Sequence, residues 1–569
     1  MPETKKIMVE FLQSGISTYC EPNENLLDVL LRAGLDVEAS CGSLGTCGKC
    51  KVQITKGNDN NLDQHELSSL SKNEIEKGYR LACRVLVGND MNVLVPDTNT
   101  AQFRKTKMGV LPADFQEYLR EKQTEYNLKK EKNNYKIDSE ISKEQFGIAF
   151  DIGTTTVVGT LWNLLSFQEI AISAKTNPQG NFGGDVISRI NYANQSDENL
   201  KELKGVIGAC LNEIVQDFVK NNHLKIGELI KIVIVGNTTM SHLLLGVSPR
   251  SLAIAPFEPE FLFKESFTPK EISIEASDMC KTTLLPNIAG HVGSDIVGVI
   301  VASRLMEKVG TNLAIDIGTN GEIVLSDNGV TYACSTAAGP AFEGVSIGKG
   351  MRASRGAIEG VIIDDLEVKI NVIDNVEAIG ICGSGLIDAI SEMLKSKLID
   401  FKGRLVDRDT AIKLELPEHL TDRLRDGDSG REFVLAFAKD SKSDDVVVTQ
   451  KDIREVQLAK GAIYSGIKIL LIQALKEIKD IDKIYMAGAF GNYINKSSAV
   501  RIGLLPDIGE ENIISLGNAA CTGAFMALLS KDEREFAFSL PEKINHIELA
   551  GYKNFQDEYI NAMSFPRII

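Results

Sequence analysis

Ile7, Val9 and Phe11 alternate with polar neighbours, the period-two pattern of a half-buried strand, and Gly15 marks a turn into a second short strand. Asn25 stands where a helix N-cap is needed, Leu26, Leu27, Leu30 and Leu31 supply one apolar face, and Gly34 predicts the stop. Residues 51–54 read as a strand, and 91–95 as the last one before Pro96. From Asp97 to about Gln145 the pattern breaks: polar and charged residues dominate, Lys129 to Lys136 is the clearest run, and 113–132 reads as one solvated helix. That stretch is expected to serve as a tether. At Phe146 long apolar strands return. One ends in Asp151-Ile-Gly153-Thr154-Thr155-Thr156, and about 165 positions later Asp316-Ile-Gly318-Thr319-Asn320-Gly321-Glu322 repeats the design.

Length and charge bound this pattern. A chain of 569 residues is too long for one hydrophobic core. A net charge of −16 argues against nucleic acid, whose phosphates demand a basic face. The start of the chain lacks an apolar signal segment, and no stretch reaches the roughly 18 to 20 apolar residues of a membrane span, so a cytoplasmic, membrane-free protein is expected.

Cysteine changes the picture of the first hundred residues. Cys41, Cys47 and Cys50 share one glycine-rich loop, and Cys83 stands alone further on, giving C-x5-C-x2-C…C. This looks like a [2Fe-2S] loop, one residue wider in its first gap than the plant-type spacing. Gly42, Gly45 and Gly48 lie where a backbone wrapping an anionic cluster needs positive φ. Cys47-x2-Cys50 alone would also suit a zinc knuckle, but a zinc ribbon pairs two such knuckles. Cys20, Cys210, Cys280, Cys334, Cys382 and Cys521 are scattered without pair spacing and are expected to be buried thiols. His242 and His291 read as buried side chains rather than ligands.

The expected organisation is a β-grasp ferredoxin domain at 1–97, a charged, partly helical linker at 98–145, and two related α/β half-domains at 146–310, with an insertion, and 311–569. The paired Asp-x-Gly-Thr turns, together with Gly488-Ala489-Phe490-Gly491 after an apolar run, resemble the phosphate hairpins and adenosine segment of the acetate kinase, sugar kinase, hsp70 and actin superfamily. The resemblance implies Asp151 and Asp316 as catalytic carboxylates reaching Mg²⁺ or its waters. It places ATP on Gly153, Thr154, Thr155, Thr156, Gly318, Thr319, Asn320, Glu322, Gly339, Gly488, Ala489, Phe490 and Gly491. The turns at Gly236-Asn237-Thr238 and Gly383-Ser384-Gly385 suit nucleotide contact and helix capping equally. Gly344-Val-Ser-Ile-Gly348-Lys349-Gly350 is too short for a P-loop, and no Ser or Thr follows its Lys.

Taken together, a [2Fe-2S] domain, a tether and an actin-like ATPase resemble the reductive activators of corrinoid proteins. The likeness extends through Asn177-Pro-Gln179, Asp185 to Arg189, Gly339-Pro-Ala-Phe-Glu343, and His546 to Ala550. It implies ATP-dependent transfer of one electron to cob(II)alamin, giving Co(I), with a corrinoid protein as acceptor and a low-potential reductant upstream. A homodimer through the ATPase domain is a further expected partner. Rival readings are a redox-regulated small-molecule kinase, with Asp185 or Glu343 as its base, an activator of a radical dehydratase or other low-potential enzyme, and an actin-type scaffold.

Overall fold

A computed structural model describes residues 6–12, 15–33, 35, 37, 43, 45, 48–57, 61–70, 72–95, 109–133, 144–427, 430–438, 444–491 and 493–567. The alternation at the start builds a five-stranded sheet in the order Ile16–Cys20, Ile7–Phe11, Met91–Leu94, Lys51–Lys56, Tyr79–Leu81. Ile7–Phe11 pairs parallel with the late strand, which brings the two ends of the unit side by side as a β-grasp requires. The inward residues Val9, Phe11, Val52 and Val93 close against Leu26, Leu27 and Leu30 of the helix Leu26–Arg32. Asn25 caps that helix, accepting from Leu27 N–H at 3.0 Å. The expected stop at Gly34 lies outside the described residues.

A short helix, Gln64–Ser69, escaped the sequence reading. Its Glu66 is fully buried and takes a bidentate pair from Arg80, at 2.7 and 2.8 Å, plus Leu81 N–H at 3.1 Å. A buried pair satisfied this completely fixes geometry more than it adds stability. Here it holds the strand that leads into Cys83.

The helix Ala113–Asn133 is not the solvated element its composition predicts. Phe115 and Leu119 are 2% and 8% exposed and join a core cluster with Trp162 and Phe525. Arg304 holds its first turn through Asp114 at 2.7 Å while also pairing with Glu533, and Gln123 donates to Phe167 O at 2.9 Å. One narrow apolar stripe suffices to dock a helix whose other faces are charged.

Each half-domain is a six-stranded sheet. The first runs Gln168–Thr176, Thr156–Asn163, Phe146–Ile152, Leu229–Gly236, Lys281–Leu284, Lys264–Phe267. The second runs Val330–Thr336, Gly321–Asp327, Thr311–Ile317, Ile481–Ala487, Ile513–Gly517 in the same sense, with Ile544–His546 added beyond Val330–Thr336. In both, an antiparallel hairpin leads, and a later strand pairs parallel with its first member. Two helices tie the halves together. Ser294–Ser303 packs on strands of both sheets, and Ala519–Leu529, reached at the end of the second half, packs on the first sheet. They approach so closely that a Cβ on Gly523 would stand 2.1 Å from Gly298 O, which only glycine permits. Two three-stranded sheets, Ala357–Ile363 with Val368–Val372 and Gly380–Ile381, and Leu424–Gly427 with Gly430–Ala436 and Val446–Thr449, are set into the second half.

Candidate functional site

Two sites emerge. In the first domain Cys50 and Cys83 are buried at 1% and 3% exposure, with sulfurs 3.3 Å apart. That is far beyond a disulfide's roughly 2.05 Å. It lies close to the roughly 3.8 Å between two thiolates sharing one tetrahedral ion at bonds of about 2.3 Å. The donor pair therefore fits one metal of a cluster. Asn25, whose Oδ1 caps the helix, donates from Nδ2 to Cys83 O at 2.9 Å, and Ala82 N–H donates to Cys50 O at 2.8 Å. Helix, strand and cysteine are thereby locked to one another. Gly45 and Gly48 have the expected positive φ, at 81° and 65°, and Ser43 shares that region at 67°, while Gly42 lies outside the described residues. Cys41 and Cys47 lie outside the described residues. The six remaining cysteines are buried, as expected, and burial pushes the Cys280 thiol up to about 12.

The second site lies where the two hairpin turns meet. Gly153 N–H donates to Thr156 O and Gly318 N–H to Asn320 O, each at 3.0 Å, so both turns close alike. Thr154 is spent on structure: its hydroxyl accepts from Asn237 Nδ2 at 3.0 Å and its carbonyl from Arg189. Thr155 and Thr319 point elsewhere. Their hydroxyls donate to the two carboxylate oxygens of Glu343, at 2.7 and 2.8 Å, so one side chain joins the two hairpins. Asn177 steadies the first turn, donating to Gly153 O at 2.8 Å. Gly488 has φ +86°, and a Cβ there would lie 2.5 Å from Asp316 Oδ1, so the third motif sets bare backbone against the second Asp. Ala489 and Phe490 follow it in the helix Gly488–Gly491. At Gly339 a Cβ would meet nothing within 4 Å.

The strand-end carboxylates Asp151 and Asp316 are half-buried, among the surrounding side chains of the cleft. Burial pushes Asp151 up to about 6, against a 2.9 Å bond from Asn518 that favours its charged form. Burial and then the charge of Asp151 push Asp316 up to about 7. Asp295 is raised to about 8, first by burial, then by the charges of Asp316 and Asp151, and Glu322 is raised first by burial, then by Asp295 and Asp316. Four carboxylates held this close call for a cation. Among the described residues no three of them converge as direct ligands of one ion. The arrangement suits a hydrated Mg²⁺, which keeps several of its waters.

Asp295 and Asn518 escaped the sequence reading. Asp295 opens the helix Ser294–Ser303 after Gly293, and Asn518 caps Ala519–Leu529 after Gly517. A signal for Asn518 was present: an apolar strand ending Gly-Asn before a helix is also the pattern of Gly236-Asn237. Asn237 itself caps Thr238–Leu245 while bonding Thr154, so capping and positioning coincide there. Ser384 Oγ donates to Glu359 O at 3.0 Å, tying the start of its helix to the strand Ala357–Ile363. Asp185, one base of the rival kinase reading, is an N-cap accepting from Ser188 N–H at 2.8 Å. His242 is fully buried and bonded on both ring nitrogens, to Thr238 O at 2.8 Å and Glu260 N at 3.1 Å.

The chain matches three family models: a 2Fe-2S iron-sulfur cluster binding domain over residues 9–88, the RACo middle region over 146–308, and the C-terminal domain of RACo, the ASKHA domain, over 310–568. It is 36% identical over 434 residues to the corrinoid activation enzyme RamQ of Eubacterium limosum, covering 75% of this chain and 71% of that one. It is 23% identical over 453 residues to the [Co(II) methylated amine-specific corrinoid protein] reductase of Methanosarcina barkeri, covering 74% and 77%. A solved structure of a reductive activator for corrinoid, iron-sulfur protein aligns over 98% of both chains, at 31% identity and a TM-score of 0.67. Among the described residues no helix is long and apolar enough to cross a membrane. With the cysteine pair, the paired hairpins and these relatives in agreement, the chain belongs to the family of reductive activators of corrinoid proteins.

Proposed function

We propose that this protein binds ATP with Mg²⁺ between its two hairpins and uses it to drive one electron onto the Co(II) of a corrinoid protein, giving Co(I). The observation that carries this reading is Glu343 holding Thr155 and Thr319 together, because it makes one site of two hairpins in a chain that also carries a cysteine cluster domain. Cys41, Cys47, Cys50 and Cys83 would hold the [2Fe-2S] cluster, which supplies a one-electron carrier at low potential. Backbone N–H groups of the turns at Gly153 and Gly318 would receive phosphate oxygens, with Thr155 and Thr319 adding hydroxyl donors. Asp151, Asp316 and Asp295 would orient the waters of Mg²⁺, which supplies charge neutralisation, and Asn518 keeps Asp151 ionised and aimed. Gly488 and Gly491 would line the nucleoside end.

The pairing of a cluster with an ATPase has an energetic reason. Plant-type clusters sit near about −400 mV. Each further 59 mV uphill reduces a one-electron equilibrium about tenfold. A Co(I) target below that potential would fill little by mass action, so the free energy of ATP binding and hydrolysis has to be coupled to the transfer to shift the balance. The test is anaerobic spectroscopy of an added corrinoid protein, following Co(I) with and without ATP and with a low-potential reductant present. Co(I) should accumulate only with ATP, and phosphate release should differ between the Co(II) and methyl-Co(III) forms of the partner. Equal phosphate release in both forms, with ATP-independent Co(I), would remove the gating.

A further inference from the structure

The turn from Gly344 to Gly350 fails as a P-loop, yet its backbone has an occupant. Lys49, between Gly48 of the cysteine loop and the buried Cys50, donates from Nζ to the carbonyl oxygens of Gly344, Ile347 and Gly350, at 3.3, 3.3 and 2.8 Å. An ammonium carries three donors and no acceptor, so three converging carbonyls match it. The turn is fixed from behind: Gly348 N–H donates to Asp452 at 2.8 Å, Lys349 pairs with Asp444 at 3.1 Å, and Met351 N–H donates to Ile381 O at 2.9 Å. Its tightness is steric, since a Cβ on Gly350 would stand 2.2 Å from Gly344 O.

What flanks the turn matters more. Glu343, one residue before it, holds the hydroxyls of Thr155 and Thr319. Arg352, two residues after it, donates to Thr176 Oγ1 at 3.2 Å in the first half-domain. The segment 343–352 thus touches the cluster domain and both halves of the cleft.

We propose that Lys49 is a nucleotide-released latch, which parks the cluster domain on the ATPase by filling this ring of carbonyls. The idea rests on the hairpins being the ATP site. Phosphate oxygens compete with Glu343 for Thr155 and Thr319, and their negative charge repels its carboxylate, so a nucleotide draws Glu343 away. Gly344 is the next residue and its carbonyl is one of the three. Moving it takes one of these three carbonyls from the partly buried ammonium and so weakens the hold on the cluster domain. Because Cys50 follows Lys49 directly, release frees the cysteine loop to meet an electron acceptor. By linkage, breaking the latch must tighten nucleotide binding by the factor by which nucleotide opens it.

The test uses full-length, cluster-loaded protein, its visible spectrum checked, with small-angle scattering and calorimetry of a non-hydrolysable ATP analogue. The radius of gyration of the unmodified protein should rise on adding the analogue. Lys49→Met should be expanded without nucleotide and should bind the analogue about tenfold tighter, within the usual range of such couplings. Gly350→Ala breaks the carbonyl ring from the ATPase side, leaves the cysteine loop untouched, and should behave alike. Analogue binding with no change of radius, or unaltered affinity in both variants, would overturn the latch alone. No binding to the unmodified protein would overturn the ATP site and the latch together.

Discussion

Asp316 shows how function and stability pull apart at a single side chain. Its folded pKa lies above its unfolded one, so the folded state binds more protons between the two values. That contribution is fully present below the unfolded pKa of about 3.9 and is lost as pH rises toward about 7. In nucleotide-free protein Asp316→Asn should therefore raise stability at pH 8, by on the order of 1–2 kcal/mol after the amide's own desolvation, and leave it little changed at pH 5. Thermal unfolding at the two pH values checks this. The same variant should lower ATP hydrolysis about tenfold or more if, as proposed, the carboxylate orients the waters of Mg²⁺ rather than holding the fold. Cys83→Ser addresses the other site: the iron-sulfur chromophore should be lost while basal phosphate release is retained, read by iron analysis and a phosphate assay. Stoichiometric zinc in the unmodified protein would reverse the cluster assignment.

Among the elements, the helix Ala113–Asn133 departs most from expectation. Its composition is that of a solvated helix, and among the described residues Phe115 and Leu119, one turn apart and flanked by the half-buried Tyr118, give it its buried face. Two such positions among charged neighbours make a stripe too narrow to stand out against the polar majority of the helix. Phe115→Ala should destabilise the ATPase unit by about 3 kcal/mol, the low end for an aromatic deletion in a core. Leu128 on the same helix is exposed, and Leu128→Ala should change stability by no more than about 0.5 kcal/mol. Equal, small effects in denaturant unfolding would mean the helix is not held by its apolar stripe.

For the molecule as a whole, docking of that helix leaves residues 96–108 as the stretch of sequence joining the cluster domain to the ATPase. From Val95 to Gly109 the chain spans at most roughly 50 Å when fully extended. Reach of that order allows the cluster domain to leave the carbonyl ring and still remain local. Closure entropy grows only with the logarithm of length, so adding about six Gly/Ser residues within 96–108 should leave the rate of Co(I) formation within about twofold. Removing six should slow it markedly by shortening the reach. Anaerobic stopped-flow absorbance of the corrinoid partner distinguishes these outcomes.

Local rules made a good part of this protein legible. Alternation gave the strands around Val9 and Val93, Asn25 gave a cap, and the repeated Asp-Ile-Gly-Thr gave two half-domains, because each is decided by neighbours a few residues apart. The cysteine spacing and the paired turns likewise carry their chemistry within short segments. What tertiary structure alone decided are the meetings across long sequence separations: Glu343 joining Thr155 to Thr319, Asn518 on Asp151, Asp295 entering the carboxylate group, and Lys49 in the ring of Gly344, Ile347 and Gly350. No local propensity marks a glutamate as a bridge or a lysine as a latch. Those roles exist only once two sheets and a third domain have closed around them, and the burial that creates them also raises the carboxylates' affinity for protons.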